Sequence, residues 1–355
     1  MSAEEKTEIN NETKKENDKK KIMFDGRGIA AICAGFGGAL TVLRIYQMLK
    51  ITDFETGFFT APKSATVNPF YFLCIMFVLL AVALIPFADT PLRTRFPVKR
   101  DIAHGAACAL LCVGCGESAI AGFRLFFEKV GESMTTPLGY LAESRAYSEL
   151  LSPVFALLAA LVSAVAAVSA FTGKPVASKL RILHLFPALW LFTVTIKYFA
   201  ITANYLKEPQ LMMLIFATVF FMLFMFEYAR FACGIASKSS KKIYMSSGAV
   251  SVGLFAAILI PELLAGIFVE DYSGVANADF AWWQAAAPIF ALSALRLRIG
   301  TDETEENVIG ILPSAENAEK SVENAEKSAE NAEKFAGNAA TSAENAETSA
   351  DTITE

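Results

Sequence analysis

Residues 151–171 read LSPVFALLAALVSAVAAVSAF, a run without one ionisable side chain. An α-helix rises 1.5 Å per residue, so roughly 20 apolar residues cross a hydrocarbon core of about 30 Å. A barrel strand needs only about half that number. Only helices and closed barrels satisfy their backbone polar groups in lipid, so a run of this length predicts a transmembrane helix.

Read outward from that run, further spans fall near 28–48, 69–88, 104–127, 183–205, 211–232, 246–269 and 282–298. With 151–171 they make eight. The last is the shortest and carries Pro288. The chain is 54% hydrophobic and 19% charged, whereas a soluble domain carries about 25% charged residues. The expectation is an all-α polytopic transmembrane helix bundle over 25–299, flanked by polar tails at 1–24 and 300–355. The N-terminus has no apolar core or small-residue cleavage site of the kind a cleaved signal peptide requires.

Basic residues orient the bundle. One set of flanks carries Lys19, Lys20, Lys21 and Arg27, then Arg93, Arg95, Lys99 and Arg100, then Lys174, Lys179 and Arg181, then Arg230, Lys238, Lys241 and Lys242, then Arg296 and Arg298. The other set holds only Lys50, Lys63, Arg124, Lys129, Arg145 and Lys207. The richer side is expected to be cytoplasmic, and the alternation keeps phase through all eight spans. Both termini then lie in the cytoplasm, and Trp282 and Trp283 fall at the outer interface, where aromatic residues gather.

The tails differ in kind. Residues 1–24 lack the apolar content to order themselves, and Lys19 to Lys21 suit anionic headgroups. The tail 300–355 holds fourteen acids against three lysines, so the net charge of −5 for the whole chain hides a basic membrane body. From Ser314 it repeats every seven residues (SAENAEK, SVENAEK, SAENAEK, FAGNAAT, SAENAET) with small apolar residues in alternating steps of three and four. That is a coiled-coil seam. Nearly every seam residue is alanine, whose methyl contributes only about 0.8 kcal/mol on burial. Two readings stand open: a weak helical partner or self-association element, and a low-complexity tail that is partly helical. Between spans three and four, 128–149 reads either as an interfacial helix around Leu138, Leu141 and Arg145 or as a plain loop.

Chemistry is sought among charges inside spans, each of which costs about 2.5–3.5 kcal/mol at mid-bilayer. Arg44, Glu117, Lys197 and Glu262 lie at similar depth, in the outer half, all on outward-running spans. They are the candidate binding residues for a small polar or charged solute, with Tyr198, Thr202 and Asn204 nearby and Pro261 able to kink its helix before Glu262. The competing reading is structural ion pairing, with the cations snorkelling outward. Glu227 and Arg230, three residues apart, share a helix face and can pair.

His104, Cys108, Cys112 and Cys115 share one face of span three. A metal sphere draws ligands from more than one element, so a metal site is not expected, nor is any cofactor. No cysteine falls in an outer loop, which argues against a disulfide framework. Gly116-Glu117-Ser118 superficially suggests a serine nucleophile. Yet His104 and His184, the chain's two histidines, sit at the opposite edge, and no enzyme is expected. No basic surface suggests nucleic acid; the expected partner is the lipid bilayer. Small residues at four-residue spacing (Ala31, Gly35, Ala39; Ala34, Gly38; Gly114, Ser118, Gly122; Ala159, Ser163, Ala167) predict close helix packing. Two functional classes follow: solute binding or transport through the outer-half charges, and a scaffold or sensor acting through the tails.

LRIYQMLKITDFETGFF (43–59) and PALWLFTVTIKYF…LFMFEYARFACG (187–234) resemble an uncharacterised family of multi-span membrane proteins from low-GC Gram-positive anaerobes. The resemblance covers about a third of the chain, through mostly hydrophobic motifs. It implies a bacterial cytoplasmic membrane location. The family has no assigned activity, so no functional residue carries over, and the heptad tail is foreign to its pattern.

The topology has a direct check. Cysteines placed at Leu92 and Val275 should react with an impermeant thiol reagent from opposite faces of the membrane, and labelling from one face would overturn the alternation.

Overall fold

Long apolar stretches in this chain are helical, and polar punctuation sets their ends. A computed structural model describes residues 26–56, 58–60, 65–84, 100–133, 136–144, 147–174, 182–202, 209–235, 237–269 and 280–298. They form α1 (Gly26–Lys50), α2 (Val67–Leu84), α3 (Ile102–Ser133), α4 (Pro137–Ser144), α5 (Tyr147–Thr172), α6 (Phe186–Thr202), α7 (Pro209–Cys233), α8 (Lys238–Phe268) and α9 (Trp282–Arg298). Asp101 starts α3 by accepting from the His104 N–H at 2.8 Å. Ser237 and Ser240 form a reciprocal capping box that starts α8. That cap places the helix start well before position 246, where hydropathy alone puts it. Likewise α3 continues to Ser133, past the expected 127.

Among the described residues six helices are long and apolar enough to cross a membrane: Ala31–Lys50, Ile102–Ser133, Glu149–Thr172, Ile182–Ala200, Pro209–Cys233 and Ser239–Phe268. The expectation was eight. The described part of α2 has 18 residues and α9 has 17, each about 26 Å of helix against a core of about 30 Å. The tails 1–24 and 300–355, with the heptad repeat, lie outside the described residues, as does Arg145.

Paired contacts fix the relative directions of α1, α2, α3, α5, α7, α8 and α9. Along α3 and α9, Asp101 meets Arg296, His104 meets Ser293, and Gly114 meets the Trp283 backbone. One number falls as the other rises, so the two helices are antiparallel. The same holds for α3 and α5, where Gly105 meets Phe171, Gly122 meets Pro153, and Lys129 pairs with Glu149. In α7 and α8, Phe231 packs on Tyr244 and Phe221 on Phe255. In α8 and α9, Gly248 meets Leu295 and Phe255 meets Trp283. In α1 and α2, Arg44 lies over Phe70 and Gln47 donates to the Thr66 carbonyl. The pair α1 and α8 runs parallel, with Gly37 against Gly253 and Met48 against Ala265.

The segment between α3 and α5 resolves one open reading. It contains a short helix, α4, whose Leu141 packs on Phe126 and Val130 of α3. Tyr140 Oη donates to Glu149 Oε2 at 3.1 Å, and Lys129 donates to Glu149 Oε1 at 2.6 Å. One carboxylate thus ties α3, α4 and α5 together.

Close packing follows the small residues only in part. Gly114 and Gly122 of α3 face α9 and α5, and Ala159, Ser163 and Ala167 of α5 are buried, as their spacing suggests. In α1 the expected stripes face outward: nothing lies within 4 Å of a Cβ built on Gly35 or Gly38. Gly37 makes the contact instead, with its added Cβ 3.1 Å from the Gly253 Cα. Adjacent substitutions should therefore separate. Gly37→Val is expected to destabilise the detergent-solubilised protein by about 1–3 kcal/mol through overpacking, while Gly38→Val leaves the melting temperature nearly unchanged. Equal effects would contradict the α1–α8 seam.

Candidate functional site

The first helix carries a cation into the interior. Arg44 is 0% exposed. Its Nη2 donates to Oε1 of Gln210 at 3.0 Å, and its guanidinium lies 5.7 Å from the Phe59 ring centroid and 5.6 Å from that of Phe70. A hydrogen bond from a charged donor is worth about 1.5–3 kcal/mol, and ring faces stabilise a cation by up to about 2 kcal/mol when water is excluded. One turn further on, Gln47 is also 0% exposed. Its Nε2 donates to the Thr66 carbonyl at 3.1 Å. Its Oε1 is buried without a hydrogen-bond partner among the described residues.

The registers bring other helices to the same level. Arg44 stands seven residues beyond Gly37, and Glu262 stands nine beyond Gly253, so the two side chains rise from the α1–α8 seam to heights within about 3 Å of each other. Glu262 is buried, directly after Pro261, which lies inside α8 and leaves the carbonyl four residues back without its helical donor. Gln210 opens α7 and Gln284 opens α9, each 1% exposed. Gln284 Nε2 donates to the Tyr198 hydroxyl of α6 at 3.3 Å. Arg44, Gln47, Gln210 and Glu262 thus form a polar layer built from three helices, and Gln284 with Tyr198 makes a separate polar link between α9 and α6.

A short loop covers this layer from one end. Thr52 and Phe59 form an antiparallel bridge, and Thr60 donates its N–H to the Ile51 carbonyl at 2.8 Å. At the tip, the Asp53 carboxylate accepts from the Thr56 hydroxyl at 2.7 Å and from the Glu55 N–H at 3.0 Å. The Thr56 hydroxyl first, and then the Glu55 amide, hold Asp53 below its ordinary range. A depressed carboxylate contributes its stability above the unfolded pKa and loses it as pH falls through the folded value. The hydrogen bonds of Asp53 at the loop tip should accordingly loosen in acid.

Of the four charges read from sequence, two enter this layer and two do not. Arg44 and Glu262 are buried, whereas Glu117 on α3 and Lys197 on α6 are exposed. Lys197 lies next to inward-facing Tyr198, so the helix presents the phenol to the interior and the ammonium to the outside. A lysine five residues from the end of α6 can reach the interface along its own alkyl stem. The reading of ionisable groups alone passed over Gln47, Gln210 and Gln284. A glutamine inside an apolar helix is itself a signal, because an unmet amide costs several kcal/mol in lipid.

At the opposite end, His104 links α3 to α9. Ser293 Oγ donates to the Phe290 carbonyl at 2.8 Å, so it accepts from His104 Nδ1 at 3.0 Å. That tautomer leaves Nε2 as the acceptor for the Cys108 thiol, 3.5 Å away. Cys108 and Cys115 are buried and Cys112 is half-buried. Among the described residues no group of three or more His, Cys, Asp or Glu side chains could hold a metal ion. Glu227 and Arg230 pair at 3.0 Å as their spacing predicts.

The chain matches no protein-family model, no curated protein and no solved structure. The geometry of the layer therefore carries the functional argument.

The Arg44–Gln210 bond has a measurable signature. Gln210→Leu is expected to destabilise the protein by about 1.5–3 kcal/mol, and a double-mutant cycle with Arg44→Leu should be strongly non-additive. Lys197→Met, on the exposed face, should be close to neutral.

Proposed function

We propose that this chain is an eight-pass protein of a bacterial cytoplasmic membrane, with both termini in the cytoplasm. In this reading it binds a small polar solute at the Arg44 layer. Six apolar helices of sufficient length support membrane integration. The eight-pass reading is supported by helix direction, since α1 and α8 run parallel and the pairs α1–α2, α3–α5, α7–α8 and α8–α9 run antiparallel. Such a pattern suits a chain that reverses at every connection.

The observation that carries the binding reading is the surplus of polar capacity beside Arg44. A buried acceptor without a donor is rare in native proteins, and among the described residues Gln47 Oε1 has none. It stands one turn from a wholly buried guanidinium. A solute with an anionic group for Arg44 and a hydrogen-bond donor for Gln47 matches both. Glu262 adds a buried carboxyl group at the same level. The exposed loop that carries Phe59 gives such a solute a route that leaves the helix packing intact.

A thermal-shift screen of the purified full-length protein against a panel of small polar solutes tests this. A solute at about 100 times its dissociation constant should stabilise wild type by about 2.7 kcal/mol. Lys197→Met should respond like wild type. Gln47→Leu should lose the response while remaining folded, and Glu262→Gln should weaken it. A solute that stabilises Gln47→Leu as well as wild type would remove Gln47 from the site.

A further inference from the structure

The Arg44 layer sets acceptors around one fixed cation. Gln47 spends its Nε2 on the Thr66 carbonyl, so only its Oε1 is left to bond, and among the described residues no donor reaches that atom. Glu262 is buried and follows Pro261, whose missing N–H leaves the Ala257 carbonyl without its helical donor. A carboxyl oxygen accepts whether or not the group is ionised. Arg44 is the counterpart: it is always charged and only donates.

Helical phase turns these groups toward one another. Phe255 of α8 packs on Phe221 of α7. Glu262 stands seven residues beyond Phe255, and Gln210 stands eleven before Phe221. At about 100° per residue both return to within about 20° of those bearings. The two helices are antiparallel, so Glu262 and Gln210 lie on facing stripes toward the same end. Gln210 accepts from Arg44 at 3.0 Å. On α1, Arg44 keeps within about 40° of the bearing of Gly37 and Met48, which pack on Gly253 and Ala265 of α8. An occupant of the layer must bring an anion for Arg44 and several donors for the acceptors around it. A hydroxyl brings one donor, and a primary ammonium brings three. A solute of net charge would leave that charge uncompensated in a low-dielectric interior, whereas a zwitterion adds none. We propose that the layer takes a free amino acid, its carboxylate on Arg44 and its primary ammonium on Gln47 Oε1 and the Glu262 carboxyl. This assignment rests on the solute-binding reading above and names its substrate class.

Titration calorimetry of the purified full-length protein tests the assignment, with each standard amino acid as a probe. For each amino acid that binds, three relatives follow: the acid lacking the amino group, the 2-hydroxy acid and the N-trimethyl betaine. All three relatives are expected to bind wild type about tenfold more weakly or worse, as the loss of a charge-assisted hydrogen bond implies. Gln47→Leu should weaken the amino acid about tenfold, and Glu262→Gln should narrow the gap between the amino and hydroxy acids. Lys197→Met should bind like wild type. Melting curves check that the variants fold, and the ligand series on wild type decides by itself where one does not. Failure of every amino acid to bind at millimolar concentration would overturn the proposal. So would a hydroxy acid or betaine that binds as tightly as its amino acid. In either case, any solute whose affinity depends on Gln47 would leave the polar-solute reading standing, so the two fail separately.

Discussion

A guanidinium with no solvent contact constrains everything near it. Arg44 keeps its charge under all ordinary conditions, and the interior must therefore supply what water would. Gln210 supplies an acceptor, Phe59 and Phe70 supply ring faces, and the α1–α8 seam brings Glu262 to the same height. Each of these partners sits on a different element. Holding them together requires that α1, α2, α7 and α8 keep their registers to within about one residue, because a slip of one residue turns a side chain by about 100°. The glycine contact between Gly37 and Gly253 is one device that holds this register: helices meeting at backbone distance cannot slide without collision.

The two halves of the bundle are built from different materials. Around α7, α8 and α9 the half bearing His104 and Asp101 is filled with rings: Phe224 stacks on Tyr244 at 4.5 Å, and Phe290 meets Tyr228 at 5.4 Å. Those contacts leave apolar groups tightly apposed and leave little for a polar solute to bond. The other half holds the glutamines, Arg44 and Glu262. Polar groups placed together in a low-dielectric interior interact strongly and cost heavily when one is left unmet. The layer is accordingly the part of the bundle most sensitive to what occupies it.

Much of the fold was legible in the sequence, since helix existence follows from apolar length and the helices lie where the apolar runs lie. Ends were less legible. The α8 start depends on a reciprocal Ser237–Ser240 cap in a polar segment that hydropathy discounts. Facing was the least legible. Arg44, Glu117, Lys197 and Glu262 share a depth, and depth follows from counting residues. Whether a residue points inward depends on which neighbours its helix acquires, and a helix apolar on all sides gives no stripe from which to read that. Lys197 and Tyr198 differ by one position, yet the first is exposed and the second is half-buried and bonded to Gln284. The small residues of α1 mislead for the same reason: Gly35 and Gly38 mark a smooth face, and Gly37 marks the contact. Glutamine was the available signal that went unused, since Gln47, Gln210 and Gln284 are all buried.

Access to the proposed site follows from the cost of moving each wall. Opening the α1–α8 seam would separate backbones in contact and uncover a long apolar face, at about 25 cal/mol for each Å² exposed to water. Opening toward the aromatic half would unstack several buried rings. Among the described residues the loop over Arg44 is held by the Thr52–Phe59 bridge, by exposed hydrogen bonds around Asp53 and Thr60, by the buried bond from the Thr52 hydroxyl to the Gln47 carbonyl, and by Phe59 on Phe70 and Phe54 beside Met48 and Ala265. Moving it would still leave the helix–helix seams in place, which makes it the cheaper wall to displace. Removing Phe59 from Arg44 also withdraws one of the cation's own partners, so an entering anion replaces an interaction as the loop leaves. In the proposed binding reading, the residues that cover the layer thus couple its opening to the charge inside it.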